Sequence, residues 1–197
     1  MKYWSNKPKL NTLSAAATVK TVKGNKVLTF ITSSERADVF LTAEGDIERV
    51  LFFARGKGNS EIQASSAQHI IVGEGNWERD VYHFLKPGGP APTMRLGITK
   101  HRGLGTWSSL PHDFELNTEP GFEEVFFYIL KGGSQRAIQV GRGVWHDNTP
   151  VDGVWTVNNN TFGTVPMGYH PIVGEPGVHV SYIWVYLAKY PRWEKIK

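Results

Sequence analysis

Three side chains stand out for the chemistry their types allow: His112, Glu124 and His170. His112 follows Pro111 at the end of a strand-like run over residues 106–110, and Glu124 heads the apolar run EVFFYIL. His170 lies in VPMGYHP, where Pro166 and Gly168 are expected to fix a tight turn and Pro171 restrains the backbone of the histidine itself. Two imidazoles and one carboxylate carried on β-structure make the set that holds a divalent metal on one side and leaves other positions open. The chain has no cysteine, so any metal must be held by nitrogen and oxygen.

The carboxylate is the most informative of the three. In a strand, alternate side chains share a face, so Glu124, Phe126 and Tyr128 point one way and Val125, Phe127 and Ile129 the other. Both faces are apolar, which predicts a strand covered on both sides. A carboxylate in such a place is costly unless it is ion-paired, hydrogen-bonded or bound to a metal. Glu123 would face the opposite way. The plainer alternative puts Glu124 at the wet end of its strand, and each histidine alone is more often structural than ligating.

The elements that must position these groups read as β throughout. Residues 27–32, 38–42, 50–54 and 69–72 are rich in β-branched and aromatic side chains and are separated by GN, SSER, AEGD and RGKGNS, which are turn compositions. Strand-like runs resume at 94–99, 106–110, 124–130, 135–140, 151–157, 161–165 and 178–187, with KGG at 131–133 as a hairpin turn. Many short strands without a long helical period predict an all-β sandwich or barrel. Residues 1–16 read as an arm or loop. Residues 73–85 read as a crossing segment, with 80–85 a short helix or a strand, and the Pro/Gly cluster at 87–92 is the best candidate boundary.

Bulk properties narrow the partners. At 40% apolar and 12% aromatic residues, the chain can bury a substantial core. Its net charge of +4 is mild, and Lys2, Lys7, Lys9, Lys20, Lys23 and Lys26 read as a solvated basic edge. Aromatic and basic residues are not interleaved as on a nucleic-acid surface. No apolar run has the length of a membrane span, and the start MKYWSNKPKL has no apolar signal core. The expectation is a cytoplasmic protein that binds neither nucleic acid nor membrane.

The motifs TWSSLPH, EEVFFYIL, QR at 135–136, VPMGYHPIV and the final PRW carry a family resemblance. They resemble the cupin metal site, and more narrowly the C-terminal cupin of the 5-deoxy-glucuronate isomerase family of inositol catabolism. The pectin-pathway ketol-isomerase of unsaturated uronates is a more distant likeness. GEGNWERDVYHFL is similar to that family's inter-domain crossing segment, so the resemblance covers residues 73–193. It implies an all-β cupin, a double-stranded β-helix or jelly-roll barrel, over residues 73–197. Residues 1–72 are then a β-rich extension, an arm or a reduced cupin half, being too short for the family's full first cupin.

The same resemblance implies His112, Glu124 and His170 as ligands of a divalent metal (zinc, manganese, iron or nickel). This chain departs from the pattern, because the family's H-x-H reads His112-Asp113-Phe114 here. A one-residue shift would instead put Asp113 and Glu115 at the two histidine positions. The unshifted alignment keeps the Pro-His pair and a complete set of two histidines and one carboxylate.

The implied reaction is aldose–ketose isomerisation of a uronate-like sugar acid, in which a proton moves between neighbouring carbons with no net redox change. Glu115 and Tyr128 are the candidate bases. Arg136 could pair with a substrate carboxylate, or be an ordinary exposed strand arginine. Trp107, Phe126 and Trp155 could line the cup or simply pack in the core. Two other functions fit the same fold. One is a cupin dioxygenase, and the other is a non-catalytic carbohydrate-binding or assembly cupin, which the missing histidine favours. The strand edges of such a sandwich make a homodimer plausible.

Overall fold

The computed structural model describes residues 4–6, 12–104, 107–108 and 124–188. A short helix α1 (Thr12–Ala16) leads into an antiparallel meander of β1 (Thr18–Val22), β2 (Asn25–Ile31), β3 (Glu35–Leu41), β4 (Ile47–Ala54) and β5 (Gly58–Gln63). The chain then passes to β6 (Gln68–Val72), β7 (Arg79–Leu85), β8 (Met94–His101) and the two-residue β9 (Trp107–Ser108). Beyond it run β10 (Glu124–Lys131), β11 (Arg136–Val144), β12 (Pro150–Asn158), β13 (Phe162–Val165), β14 (Met167–Tyr169), β15 (Ile172–Gly174) and β16 (His179–Leu187).

These strands form three sheets. The meander is the first. The second has the order β13-β10-β16-β8-β7-β6, and the third the order β12-β11-β15-β9, with β14 also paired to β11. From β10 onward the chain alternates between the second and third sheets, as in a jelly roll.

The second sheet is the middle layer. One core joins Leu28, Phe30, Val39 and Phe52 of the meander to Leu96, Ile98, Val125, Phe127 and Ile183. The other joins Phe126, Tyr128, Tyr182 and Trp184 of the middle sheet to Ala137, Val157 and Ile172 of the third. The two-sided apolar character of the run from Glu124 follows from this sandwiching. Val125, Phe127 and Ile129 meet the meander, whereas Phe126 and Tyr128 meet the third sheet. Fully burying each such large side chain contributes about 1.5–3 kcal/mol.

Three local expectations change. Of the two readings of 80–85 the strand holds, as β7, and the Pro/Gly cluster at 87–92, read as a candidate boundary, joins β7 to its antiparallel neighbour β8 within one sheet. The segment RGKGNS contributes to a paired strand, β5, rather than only a turn. VPMGYHP is not a tight turn either. It carries the chain from the middle sheet to the third as extended backbone, with β14 and β15 pairing to β11 on either side of His170 and Pro171. At the crossing, Gly168 adopts φ 114° opposite Gly143, where a Cβ would lie 1.9 Å from the Met167 carbonyl oxygen. Only glycine permits so close a backbone approach.

Candidate functional site

Glu124 opens β10 with a neighbour on each side, Val165 of β13 and Tyr186 of β16. Being in phase with Phe126 and Tyr128, its carboxylate enters the layer between the middle and third sheets, where it is 5% exposed. His170 reaches the same layer from the β14–β15 junction and is completely buried. Its Nε2 lies 3.5 Å from the Glu124 carboxylate, and the Phe126 ring sits edge-on at 5.9 Å. Two residues far apart in sequence thus meet in a dry compartment.

The compartment controls their electrostatics. Burial pushes the Glu124 carboxyl up to about 8, because removing water penalises the charged form. Burial also raises the Tyr128 and Tyr186 hydroxyls well above the usual phenol range, and the nearby Glu124 charge adds to the effect. Among the described residues no lysine or arginine forms an ion pair with Glu124.

One residue that the sequence does not single out completes the arrangement. Gln139 of β11 is fully buried, and its Nε2 donates to the carbonyl oxygens of His170 at 2.6 Å, Pro171 at 3.1 Å and Val140 at 3.1 Å. The Tyr128 hydroxyl donates to the Gln139 Oε1 at 3.1 Å. Three carbonyls around one amide group leave no choice of orientation, since an oxygen there would face three acceptors. On β12, Trp155 stands directly across from Gln139, and its buried indole N–H has no acceptor among the described residues.

Two sequence candidates are placed differently from each other. Arg136 lies on the outer face of the third sheet, opposite in phase to the inward-facing Ala137 and Gln139, and there it faces Glu175 at 3.8 Å. It does not enter the compartment. Tyr128 lies inside, where its hydroxyl donates to Gln139 and burial holds its pKa well above the usual phenol range. Phe126 and Trp155 both face the compartment. His112, Asp113, Glu115 and the Trp107 side chain lie outside the described residues, as does Glu123.

The donor chemistry fits a divalent cation. A desolvated carboxylate beside a buried imidazole is a pair that a metal ion would stabilise, replacing the lost hydration of the acid. Among the described residues no cluster of three such donors occurs.

Residues 24–197 match the KduI/IolB family. The chain belongs to that family. Among curated proteins, 5-deoxy-glucuronate isomerase of Geobacillus kaustophilus is 30% identical over 165 residues, an alignment that covers 80% of this chain and 58% of that protein. The enzyme of the same name from Bacillus subtilis strain 168 is 33% identical over 109 residues, covering 53% of this chain and 39% of the relative. This KduI/IolB chain therefore spans only part of the curated relatives it matches. Among solved structures, an IolB-like protein of Salmonella typhimurium LT2 superimposes with a TM-score of 0.59 at 22% identity, covering 91% of this chain and 74% of the other. That likeness is one of fold, and the fold is a cupin with the β1–β5 meander packed on its outer face.

Proposed function

We propose that this KduI/IolB chain is a metal-dependent isomerase of a uronate-like sugar acid, interconverting aldose and ketose forms. The observation that carries the reading is the burial of Glu124 against His170, 3.5 Å apart, in the compartment between two cupin sheets. The names of the relatives supply the substrate class.

In this reading Glu124 and His170 hold a divalent ion, zinc, manganese, iron or nickel, together with His112. A metal bound there supplies Lewis-acid polarisation of the substrate carbonyl. Glu115 is the base that takes the proton from the carbon beside the carbonyl and, after exchange with solvent, delivers a proton to the former carbonyl carbon, while the hydroxyl proton passes to the former carbonyl oxygen, so the redox level is unchanged. Trp155 and Trp107 line the cup, the free indole N–H of Trp155 suiting a sugar hydroxyl. Phe126 and the third sheet exclude bulk water. The absence of cysteine supports a cytoplasmic setting. Ile71 on the edge strand β6 is 53% exposed, which supports a homodimer that covers it, measurable by light scattering.

The test is direct. Metal-free protein is loaded with each of the four ions and incubated with 5-deoxy-glucuronate and related uronates in D₂O, and products are followed by NMR. The expected result is isomer carrying solvent deuterium at carbon, lost in Glu124→Gln and His170→Ala. Folded wild-type protein that binds none of the four ions sinks the reading. Oxygen uptake in place of isomer would replace it with the dioxygenase, and sugar binding without turnover with a carbohydrate-binding cupin.

A further inference from the structure

We infer that Gln139 is a positioning residue that holds His170 in place for the metal, an inference that rests on the metal-site reading above. His170 stands where its strand cannot be held in the ordinary way. β14 pairs with residues 142–144 of β11 and β15 with residues 137–139, leaving a gap in the ladder at His170 and Pro171. Pro171 has no N–H to donate, so backbone pairing cannot close this gap from its side. The Val140 N–H donates across it to the Pro171 carbonyl at 2.9 Å.

The Gln139 side chain adds two side-chain bonds to that backbone bond. Its NH₂ group binds the carbonyls immediately before and after the His170–Pro171 bond, at 2.6 and 3.1 Å. The backbone on which the imidazole turns is thereby tied to β11. Gln139 is in turn oriented by the Tyr128 hydroxyl from β10, the strand that carries Glu124. One amide group therefore bonds both the backbone that carries His170 and a side chain of the strand that carries Glu124. Groups that orient a ligand in this way typically alter metal affinity by roughly 10- to 100-fold when removed.

The experiment compares Gln139→Met, which keeps the volume and loses the donors, with Val157→Ala, a fully buried position of the same core. Metal-free proteins are titrated with Mn²⁺ by calorimetry, their thermal unfolding is recorded, and the His170 ring Cε1–H resonance is followed by NMR. In Gln139→Met the Mn²⁺ Kd is expected to rise roughly tenfold or more, and the His170 resonance to shift. Val157→Ala should lower Tm without moving either readout. Gln139→Glu, which sets an acidic oxygen among three carbonyls, should weaken Mn²⁺ binding at least as much.

An unmoved Kd and resonance in Gln139→Met overturns the inference, as does an equal loss of affinity in Val157→Ala. Should Gln139→Met fail to fold, Tyr128→Phe decides, since it removes only the hydroxyl that orients the amide. A smaller shift in the same direction supports the inference and no change defeats it. Glu124→Gln separates the two claims. If it abolishes Mn²⁺ binding while Gln139→Met is silent, only the positioning role falls. If it leaves Mn²⁺ binding intact, the metal-site reading falls and the inference with it.

Discussion

Glu35 and Met94 are joined across two sheets. The Glu35 carboxylate, 2% exposed at the start of β3, accepts the Met94 N–H at 3.0 Å and the Thr93 N–H at 2.9 Å, and also contacts the Thr93 hydroxyl. A buried acid thus fastens the meander to the start of β8 in the middle sheet. Glu35→Ala should lower stability by about 3 kcal/mol, because it strands two buried N–H donors as well as losing charge-assisted bonds. Glu35→Gln, which keeps an acceptor, should cost about half that. Urea unfolding checks both.

Gly163 of β13 lies under the Tyr128 ring, and a Cβ there would sit 2.5 Å from the hydroxyl oxygen. Gly163→Ala should therefore cost about 1–3 kcal/mol by overpacking. The loss should be smaller in a Tyr128→Phe background, since the nearest clashing atom is then gone. A double-mutant cycle on unfolding free energies measures the coupling, and strict additivity would show that the two positions do not press on each other.

His101 is 7% exposed, and burial, with the Arg79 charge adding to it, lowers its pKa from 6.5 to about 3. The folded protein keeps this ring neutral where the unfolded chain would protonate it. The resulting stability is complete above pH 6.5 and is lost as pH falls from there towards 3. His83 is shifted the same way by burial and the Lys86 charge, so it contributes in the same direction. His101→Phe should flatten the fall in unfolding midpoint between pH 6.5 and 4 without abolishing it. An unchanged slope would place the acid sensitivity elsewhere.

Arg136 on the outer face should be dispensable. Its pairing with Glu175 at 3.8 Å is half exposed and long, and such pairs contribute about 0–1 kcal/mol. Arg136→Ala is expected to leave both Tm and any sugar-acid affinity close to those of the wild type. A large rise in KM for the sugar acid would return this residue to the substrate site.

How much was legible from sequence differs from one residue to the next. The alternation around Glu124 predicted a doubly covered strand correctly, because which side chains share a face is a property of the extended backbone alone. Strands β1 and β5 were illegible for a complementary reason. Their sequences, TVKTV and GNSEIQ, are largely exposed at the sheet's edges, so burial left no apolar signature in them.

Residues 136–141 show the opposite trap. Ile138 and Val140 are the large apolar members of that run, yet Ala137, Gln139 and Gly141 are the ones turned inward. The inner face there needs small side chains to admit the Trp155 ring against Gly141, and a donor for the His170 carbonyl. Those needs arise from residues far along the chain.

By itself, the sequence determined the β class, the cupin likeness and the pairing of a carboxylate with rigidly placed histidines as the chemistry to look for. Only the tertiary structure decided that Glu124 and His170 meet in one buried layer, that Gln139 bonds the carbonyl of the second, and that Arg136 faces away. Local periodicity records which neighbours share a face. The meeting of groups on different strands depends on sheet register and on crossings between sheets, which no stretch of a few residues encodes.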